Sequence, residues 1–297
     1  MPNIYILSLI ITLLLTINQV TFANKVNEEL VLPITCFYNN TNSPRCCILC
    51  IHGLGLNSRS FSDFGKIMSN NQIAVYAFDI RGFGLRQDAC GKHSLDFAGS
   101  IKDTSVYLEF LHKLFPQLPV FLLGESMGGA LALQTTYHYP QLVDGLIASV
   151  PSNTRYETSK MDLNVALHFL LGPTKPYYVG LKVINQATLN PQLKASWIGD
   201  PLDNLKLSPI ELIEFDSFMR KNHKAAKGIF LTPVLFLQGN KDRLVKPMST
   251  LKLFTELNTI DKEIFMVSGQ EHLILEDGQF NNTIIYLLKR WLLKHLD

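Results

Sequence analysis

The chain has 297 residues, 47% of them hydrophobic, with a formal net charge of +2. That is long enough for one large α/β domain, or for one domain carrying an insertion. So small a charge, with no basic tract and no basic stripe interleaved with aromatics, leaves no electrostatic case for nucleic acid.

Residues 4–17 are about fourteen nearly unbroken apolar positions, fewer than the roughly twenty of a membrane span. Polar Asn18-Gln19 and the small-residue exit Thr21-Phe22-Ala23 follow. This predicts a signal peptide over residues 1–23 and an exported protein, periplasmic or secreted, starting near Asn24. Met1-Pro2-Asn3 carries no lysine or arginine, so an uncleaved membrane anchor over residues 4–17 stays open as the alternative. The five cysteines, Cys36, Cys46, Cys47, Cys50 and Cys90, agree with an oxidising compartment, but their odd number and unknown pairing leave the disulfides open. Cys47-Ile-Leu-Cys50 has redox or zinc spacing, yet it sits inside an apolar run that reads as a buried strand, where cysteine behaves as a small hydrophobe. No second CxxC and no nearby histidine pair accompany it, so neither a metal nor another cofactor is expected.

Beyond the leader, strand patterns alternate with helix patterns, which predicts an α/β fold with a mostly parallel sheet and helices on both faces. Strands are expected at 46–51, 73–79, 119–123, 142–150, 233–238 and 263–267, with antiparallel edge strands from 30–37. Helices are expected at 58–69, 95–114, 126–139, 248–257 and 279–295. The rhythm breaks between Pro151 and about Ile229, a stretch of roughly eighty residues with no good buried strand and with helical patterns interrupted by Pro173, Pro176, Pro191, Pro201 and Pro209. An insertion of that size predicts a helical lid over 151–229 on a core made of 24–150 and 230–297. Its apolar content suits both lid packing and the wall of an acyl-binding pocket.

Gly124-Glu125-Ser126-Met127-Gly128 follows the apolar run 119–123 and opens a helix pattern. A serine so flanked fits a sharp strand-to-helix turn that exposes its hydroxyl, making Ser126 the candidate nucleophile. A serine hydroxyl needs a base, and in such sheets the order is nucleophile, acid, histidine, each after a strand. His138 ends the helix that Ser126 opens, His168 and His223 fall in the lid, and His295 lies on the last helix. His272, in Ser268-Gly-Gln-Glu-His272, is left as the base. Asp242, in Gln238-Gly-Asn-Lys-Asp242, follows a strand and is the candidate acid, ahead of Asp261, Asp277, Asp200 and Asp203. For the oxyanion, the Met127 N–H opens the helix, and the loop His52-Gly53-Leu54-Gly55 offers the N–H of Leu54. His52 reads as a brace for that loop rather than as a second base.

The motifs His52-Gly-Leu-Gly55, Asp79-Ile-Arg-Gly-Phe-Gly84, Gly124-Glu-Ser-Met-Gly-Gly129, Asp200-Pro-Leu202 and Gln238-Gly-Asn-Lys-Asp-Arg-Leu-Val-Lys-Pro247 occur in this order. Together they resemble the monoacylglycerol lipase and lysophospholipase group of α/β-hydrolases, over about residues 30 to 295. The resemblance implies the α/β-hydrolase fold with a helical lid inserted after the sixth strand. It also implies a triad of Ser126, Asp242 and His272, an oxyanion hole of Leu54 and Met127, and cofactor-free hydrolysis of small lipidic esters such as monoacylglycerols or lysophospholipids. Transient contact of the lid with a membrane or lipid interface goes with it, and the oligomeric state is left open. The group commonly has histidine and serine where this chain has Phe83 and Arg86, which is expected to alter a neighbouring pocket contact while leaving fold and triad untouched. A peptidase or acyltransferase using the same triad is the alternative; Glu211, Glu214 and Asp216 would be the acids for a substrate amine, but their spacing fits an exposed helical face. A non-catalytic lipid-binding protein of the same fold is the competitor from another class. Serine at the elbow excludes epoxide or haloalkane hydrolysis.

Overall fold

Runs such as Cys46-Cys-Ile-Leu-Cys-Ile51 have no polar face, so they require cover on both sides, which is the condition of a central parallel strand. All six residues of that run are buried. The computed structural model describes residues 33–38, 43–87, 95–152, 154–156, 168–169, 171–178, 180–203 and 206–296. The leader expected at 1–23, the alternative anchor at 4–17, Cys90 and residues 157–167 of the lid segment lie outside them.

Nine strands are found among the described residues: β1 (Ile34–Cys36), β2 (Cys46–Ile51), β3 (Ile73–Phe78), β4 (Val120–Glu125), β5 (Gly145–Ser149), β6 (Tyr177–Tyr178), β7 (Lys206–Leu207), β8 (Val234–Gly239) and β9 (Lys262–Val267). Seven form one sheet in the order β1-β3-β2-β4-β5-β8-β9, with β1 antiparallel to β3 and every other pair parallel. The order turns back between β2 and β4, and at such a switch point the carboxyl ends of the strands open a crevice. The register sets Ile51 beside Gly124 and Glu125 beside Ser149, so the loop after β2 and the turn after β4 start as neighbours.

Nine helices are described: α1 (Ser62–Ser69), α2 (Phe97–Leu114), α3 (Met127–His138), α4 (Gly180–Ala187), α5 (Pro191–Gly199), α6 (Pro209–Arg220), α7 (Asn222–Lys227), α8 (Pro247–Thr255) and α9 (Asn282–Lys294). Side chains alternate across a strand, so each strand serves two cores. Ile48, Val75, Phe121, Ile147 and Leu235 pack with Phe64 and Met68 of α1 and Leu288 and Trp291 of α9. The alternate set meets α2, as the ring contact of Phe78 with Tyr107 at 4.3 Å shows. Helix α9 buries Ile284, Leu288, Trp291 and Leu292, a single apolar stripe, and Asn281 caps it by accepting the Ile284 N–H at 3.1 Å. Helix α3 is instead buried on all sides from Met127 to Thr136.

Boundaries differ from the sequence reading by a few residues; at 142–150, for example, a 3-10 turn (Pro140–Leu142) precedes a shorter strand. Between β5, the fifth strand described, and β8 the described residues are mainly helical, α4 to α7. Two of the prolines that read as interruptions there, Pro191 and Pro209, are instead first residues of helices, where the missing N–H costs nothing. Asn190 caps α5, and Ser208 with Glu211 forms a reciprocal capping box on α6. The segment also holds the antiparallel pair β6–β7 that the sequence did not suggest, each strand two residues long.

Trp291 is buried against Phe121, ring centroids 5.7 Å apart. Trp291→Ala should destabilise the fold by about 3–5 kcal/mol in urea unfolding followed by circular dichroism. A loss below about 1 kcal/mol would mean that α9 is not anchored through this ring.

Candidate active site

The turn at the end of β4 is shaped by backbone crowding. A Cβ on Gly124 would lie 2.1 Å from the Gly128 carbonyl oxygen, and one on Gly128 would lie 2.0 Å from the Ile51 oxygen. Neither position admits a side chain. Between them Ser126 adopts φ 56°, ψ −114°, a conformation that costs a non-glycine residue on the order of 1–3 kcal/mol. Its N–H donates to Ser149 O at 2.8 Å, and α3 begins at the next residue, so the hydroxyl stands clear at the head of a helix.

His272 reaches that hydroxyl. Its Nε2 is 2.9 Å from Ser126 Oγ, and its Nδ1 is 2.9 Å from Asp242 Oδ2. The carboxylate of Asp242 can only accept, so the proton sits on Nδ1 and the Nε2 lone pair faces the serine. The other side of the carboxylate is also occupied: Oδ1 accepts the N–H groups of Leu244 at 2.8 Å and Val245 at 2.9 Å, and Oδ2 also accepts Gln238 Nε2 at 3.1 Å. His272 is 2% exposed and Asp242 4%. Burial opposes the charge on both. For His272 the Asp242 carboxylate outweighs burial and holds the imidazole pKa above its ordinary value. For Asp242 the His272 charge and the backbone donors outweigh it and hold the carboxyl below its ordinary value.

The loop after β2 lies alongside. His52 is fully buried; its Nε2 accepts the Ile80 N–H at 3.1 Å, so its Nδ1–H donates to Gly53 O at 2.8 Å. Burial pulls its pKa down, and the neutral ring acts as a strut rather than a base. Gly53 N–H donates to Glu276 Oε1 at 2.7 Å. Among the described residues the N–H groups of Leu54 and Met127 have no hydrogen-bond partner, and Leu54 shares a pocket with Ser126 and His272.

The rival groups are engaged elsewhere. His223 pairs with Glu256 at 2.8 Å, His295 with Asp261 at 3.1 Å, and His168 stacks on Tyr177. His138 is exposed beside Tyr137. Asp277 accepts Trp197 Nε1, Asp203 accepts Asn57 Nδ2 and Asp200 accepts the Leu202 N–H. Glu211 is part of its capping box, and Asp216 pairs with Arg220 and Arg155. Phe83 and Arg86 do not line the pocket, contrary to the expected pocket change. Phe83 packs edge-on against His52, and Arg86 forms an ion pair with Asp103 at 2.8 Å.

Three carboxyl groups around the site were not singled out from the sequence: Glu125, Glu271 and Glu276. Glu125 had a signal, a charged residue at the end of a strand with no polar face. Glu271, next to His272, accepts Thr188 Oγ1 and the Leu189 N–H, both at 2.8 Å, just beyond α4. The His272 N–H itself donates to Ala187 O at 3.3 Å, so the loop of His272 is tied to the end of α4. The pocket in front of Ser126 is apolar, with walls from Leu56, Ile184, Trp197, Phe215, Met219 and Val245; Arg155 adds a positive charge.

The serine aminopeptidase S33 family matches residues 42–279. The chain belongs to this family. Its fold and relatives place this S33 member in the monoacylglycerol lipase group of α/β-hydrolases. Human monoglyceride lipase is 24% identical over 278 residues, covering 86% of this chain and 84% of the human protein. The monoacylglycerol lipase of Mycolicibacterium smegmatis is 22% identical, covering 85% and 90%. Among solved structures, Paleococcus ferrophilus monoacylglycerol lipase is 26% identical with a TM-score of 0.73, covering 90% of this chain and 100% of that one.

The crowding at the elbow has a direct consequence. Gly128→Ala should cost at least about 3 kcal/mol of stability, the upper end of overpacking. Thermal unfolding beside the wild type checks it, and an unchanged midpoint would contradict the close approach to Ile51.

Proposed function

We propose that this chain is a serine hydrolase that cleaves carboxylic esters of lipidic substrates, monoacylglycerols or lysophospholipids, through an acyl-enzyme. The observation that carries this reading is the hydrogen-bonded line Asp242–His272–Ser126 opening on an apolar pocket. The names of the human, bacterial and archaeal relatives support the substrate class. In the proposed reaction the His272 Nε2 lone pair takes the Ser126 proton as Oγ attacks the ester carbonyl. The tetrahedral oxyanion accepts the N–H groups of Leu54 and Met127, the latter at the positive end of α3. The imidazolium, held by Asp242, then protonates the departing alkoxide. Water repeats the sequence to free the fatty acid and restore Ser126. The roles of Ser126, Asp242, His272, Leu54 and Met127 are part of this proposal.

The family description raises an aminopeptidase as the second reading. A substrate amine would need a carboxylate in the pocket. The formally charged side chain lining it is the cation of Arg155, and Glu211 and Asp216 are already paired, which favours the ester. Exposed apolar side chains on the lid segment, among them Leu171, Leu189 and Ile198, support transient contact with a lipid surface. The apolar run and small-residue exit of the leader support export, with anchoring by residues 4–17 as its alternative.

Ser126→Ala should lower turnover of medium- and long-chain esters at least about 10³-fold with the fold intact. Equal turnover by wild type and variant, assayed with monoacylglycerol, lysophosphatidylcholine and 4-nitrophenyl esters, would overturn the proposal. Only neutral His272 can accept the serine proton, and its pKa lies above the ordinary 6.5. The kcat/KM profile should therefore rise with pH through a midpoint above 6.5, the acid form being the inactive one. A profile flat from about pH 5 to 8 would rule His272 out as the base.

A further inference from the structure

Two fully buried carboxyl groups behind the site have no part in the steps just given. Glu125, the residue before Ser126, accepts Ser149 Oγ at 2.6 Å and the N–H groups of Ile274 at 2.7 Å, Leu275 at 3.0 Å and Glu276 at 3.0 Å. Those three amides belong to the loop that begins at His272. Glu276 accepts the N–H of Gly53 at 2.7 Å. The two carboxyls thus join the nucleophile's turn, the base's loop and the loop of Leu54 in one run of hydrogen bonds.

Two like charges this deeply buried cannot both be held. Glu125 has four donors around it, the surroundings of a carboxylate, although burial lifts its pKa too. Glu276 has the Gly53 N–H and the Ser60 hydroxyl as partners, yet burial, then the charges of Glu125 and Asp277, push its pKa well above the ordinary carboxyl value. Of the two, Glu125 is surrounded by more donors and is the better placed to carry a charge.

Gly53 has no side chain to brace it, and its two peptide planes are fixed from outside. Glu276 holds the N–H of the plane before its Cα, and the carbonyl of the plane after it is held by His52 Nδ1–H and by the Leu56 N–H at 3.2 Å. That second plane carries the Leu54 N–H. Both bonds on the second plane are made within residues 52–56, whereas the Glu276 bond ties this loop to another part of the chain; without it the Gly53 turn can shift and carry the Leu54 N–H with it.

We propose that Glu276 is a positioning residue for the hydrolysis: by holding the Gly53 amide it aims the Leu54 N–H at the oxyanion, while Glu125 fastens the Glu276 backbone to the Ser126 turn. This rests on the ester-hydrolase reading above. Glu276 touches neither the substrate nor the reacting atoms, so its effect is on kcat rather than on substrate binding.

The test is steady-state ester hydrolysis by the full chain carrying Glu276→Leu, Glu276→Asp or Glu276→Gln, with thermal unfolding of each and Ser126→Ala alongside. Leucine removes the acceptor, aspartate withdraws it by one methylene, and glutamine keeps an oxygen of the same reach. Leucine and aspartate should lower kcat about 10- to 100-fold, short of the loss of a whole oxyanion donor, with KM within about twofold. Glutamine should stay within about threefold of wild type, and affinity for a trifluoromethyl ketone should fall in step with kcat/KM. If Glu276→Leu does not fold, Glu276→Asp decides. Wild-type kcat in a folded leucine or aspartate variant, a loss confined to KM, or a glutamine variant as impaired as leucine would overturn the positioning role. A wild type without Ser126-dependent turnover would instead sink the ester-hydrolase reading itself.

Discussion

At the carboxyl ends of β2 and β4 the chain passes within contact distance of itself. The Gly128 Cα faces the Ile51 carbonyl so closely that a methyl group would overlap it, and Gly124 stands in the same relation to Gly128. The rest of the site depends on this contact. It bends β4 sharply into α3 and drives Ser126 into a conformation that serine would not choose. It also keeps the loop after β2 against the turn, so that the N–H groups of Leu54 and Met127 belong to one locality. The strain is sustained because the sheet on one side and a helix buried all round on the other leave the backbone no alternative.

Against this fixed turn, the electrostatics of His272 follow from a competition that burial alone would lose. A buried imidazole should be reluctant to carry charge, and His52, equally buried but with both ring nitrogens bonded to backbone groups rather than to a carboxylate, is so. His272 differs because Asp242, itself held by backbone amides, lies against Nδ1. Two histidines of similar burial thus have opposite tendencies, one suited to being a strut and the other to accepting a proton.

Much of the fold was legible in the sequence because the central strands are apolar on both faces and most of the helices around them, α3 excepted, keep a polar face. The positions of Ser126, Asp242 and His272 were legible for a different reason: each follows a strand at the same edge of the sheet, so chain order stood in for proximity. The hydrogen bonds between them required coordinates. The proline-rich segment was harder. Pro191 and Pro209 read as breaks but start helices, since proline forbids a preceding turn and not a following one. The short β6–β7 pair left no alternation to see. Glu276 was out of reach, because nothing local distinguishes a glutamate that turns inward toward Gly53 from one that faces water. Phe83 and Arg86 looked like changes to the pocket, and only their contacts with His52 and Asp103 place them behind it.

The seam between Glu271 and the end of α4 bears on how such a chain can be altered. Thr188 and Leu189 give a hydroxyl and an amide to a carboxylate one residue from His272, and the His272 amide is itself bonded to Ala187. A segment carrying α4 transplanted from a relative is therefore not a detachable module here. The grafted segment must still present a hydroxyl, an amide and a carbonyl at those three positions, or the imidazole loses its local scaffold before any new acyl chain is offered to it.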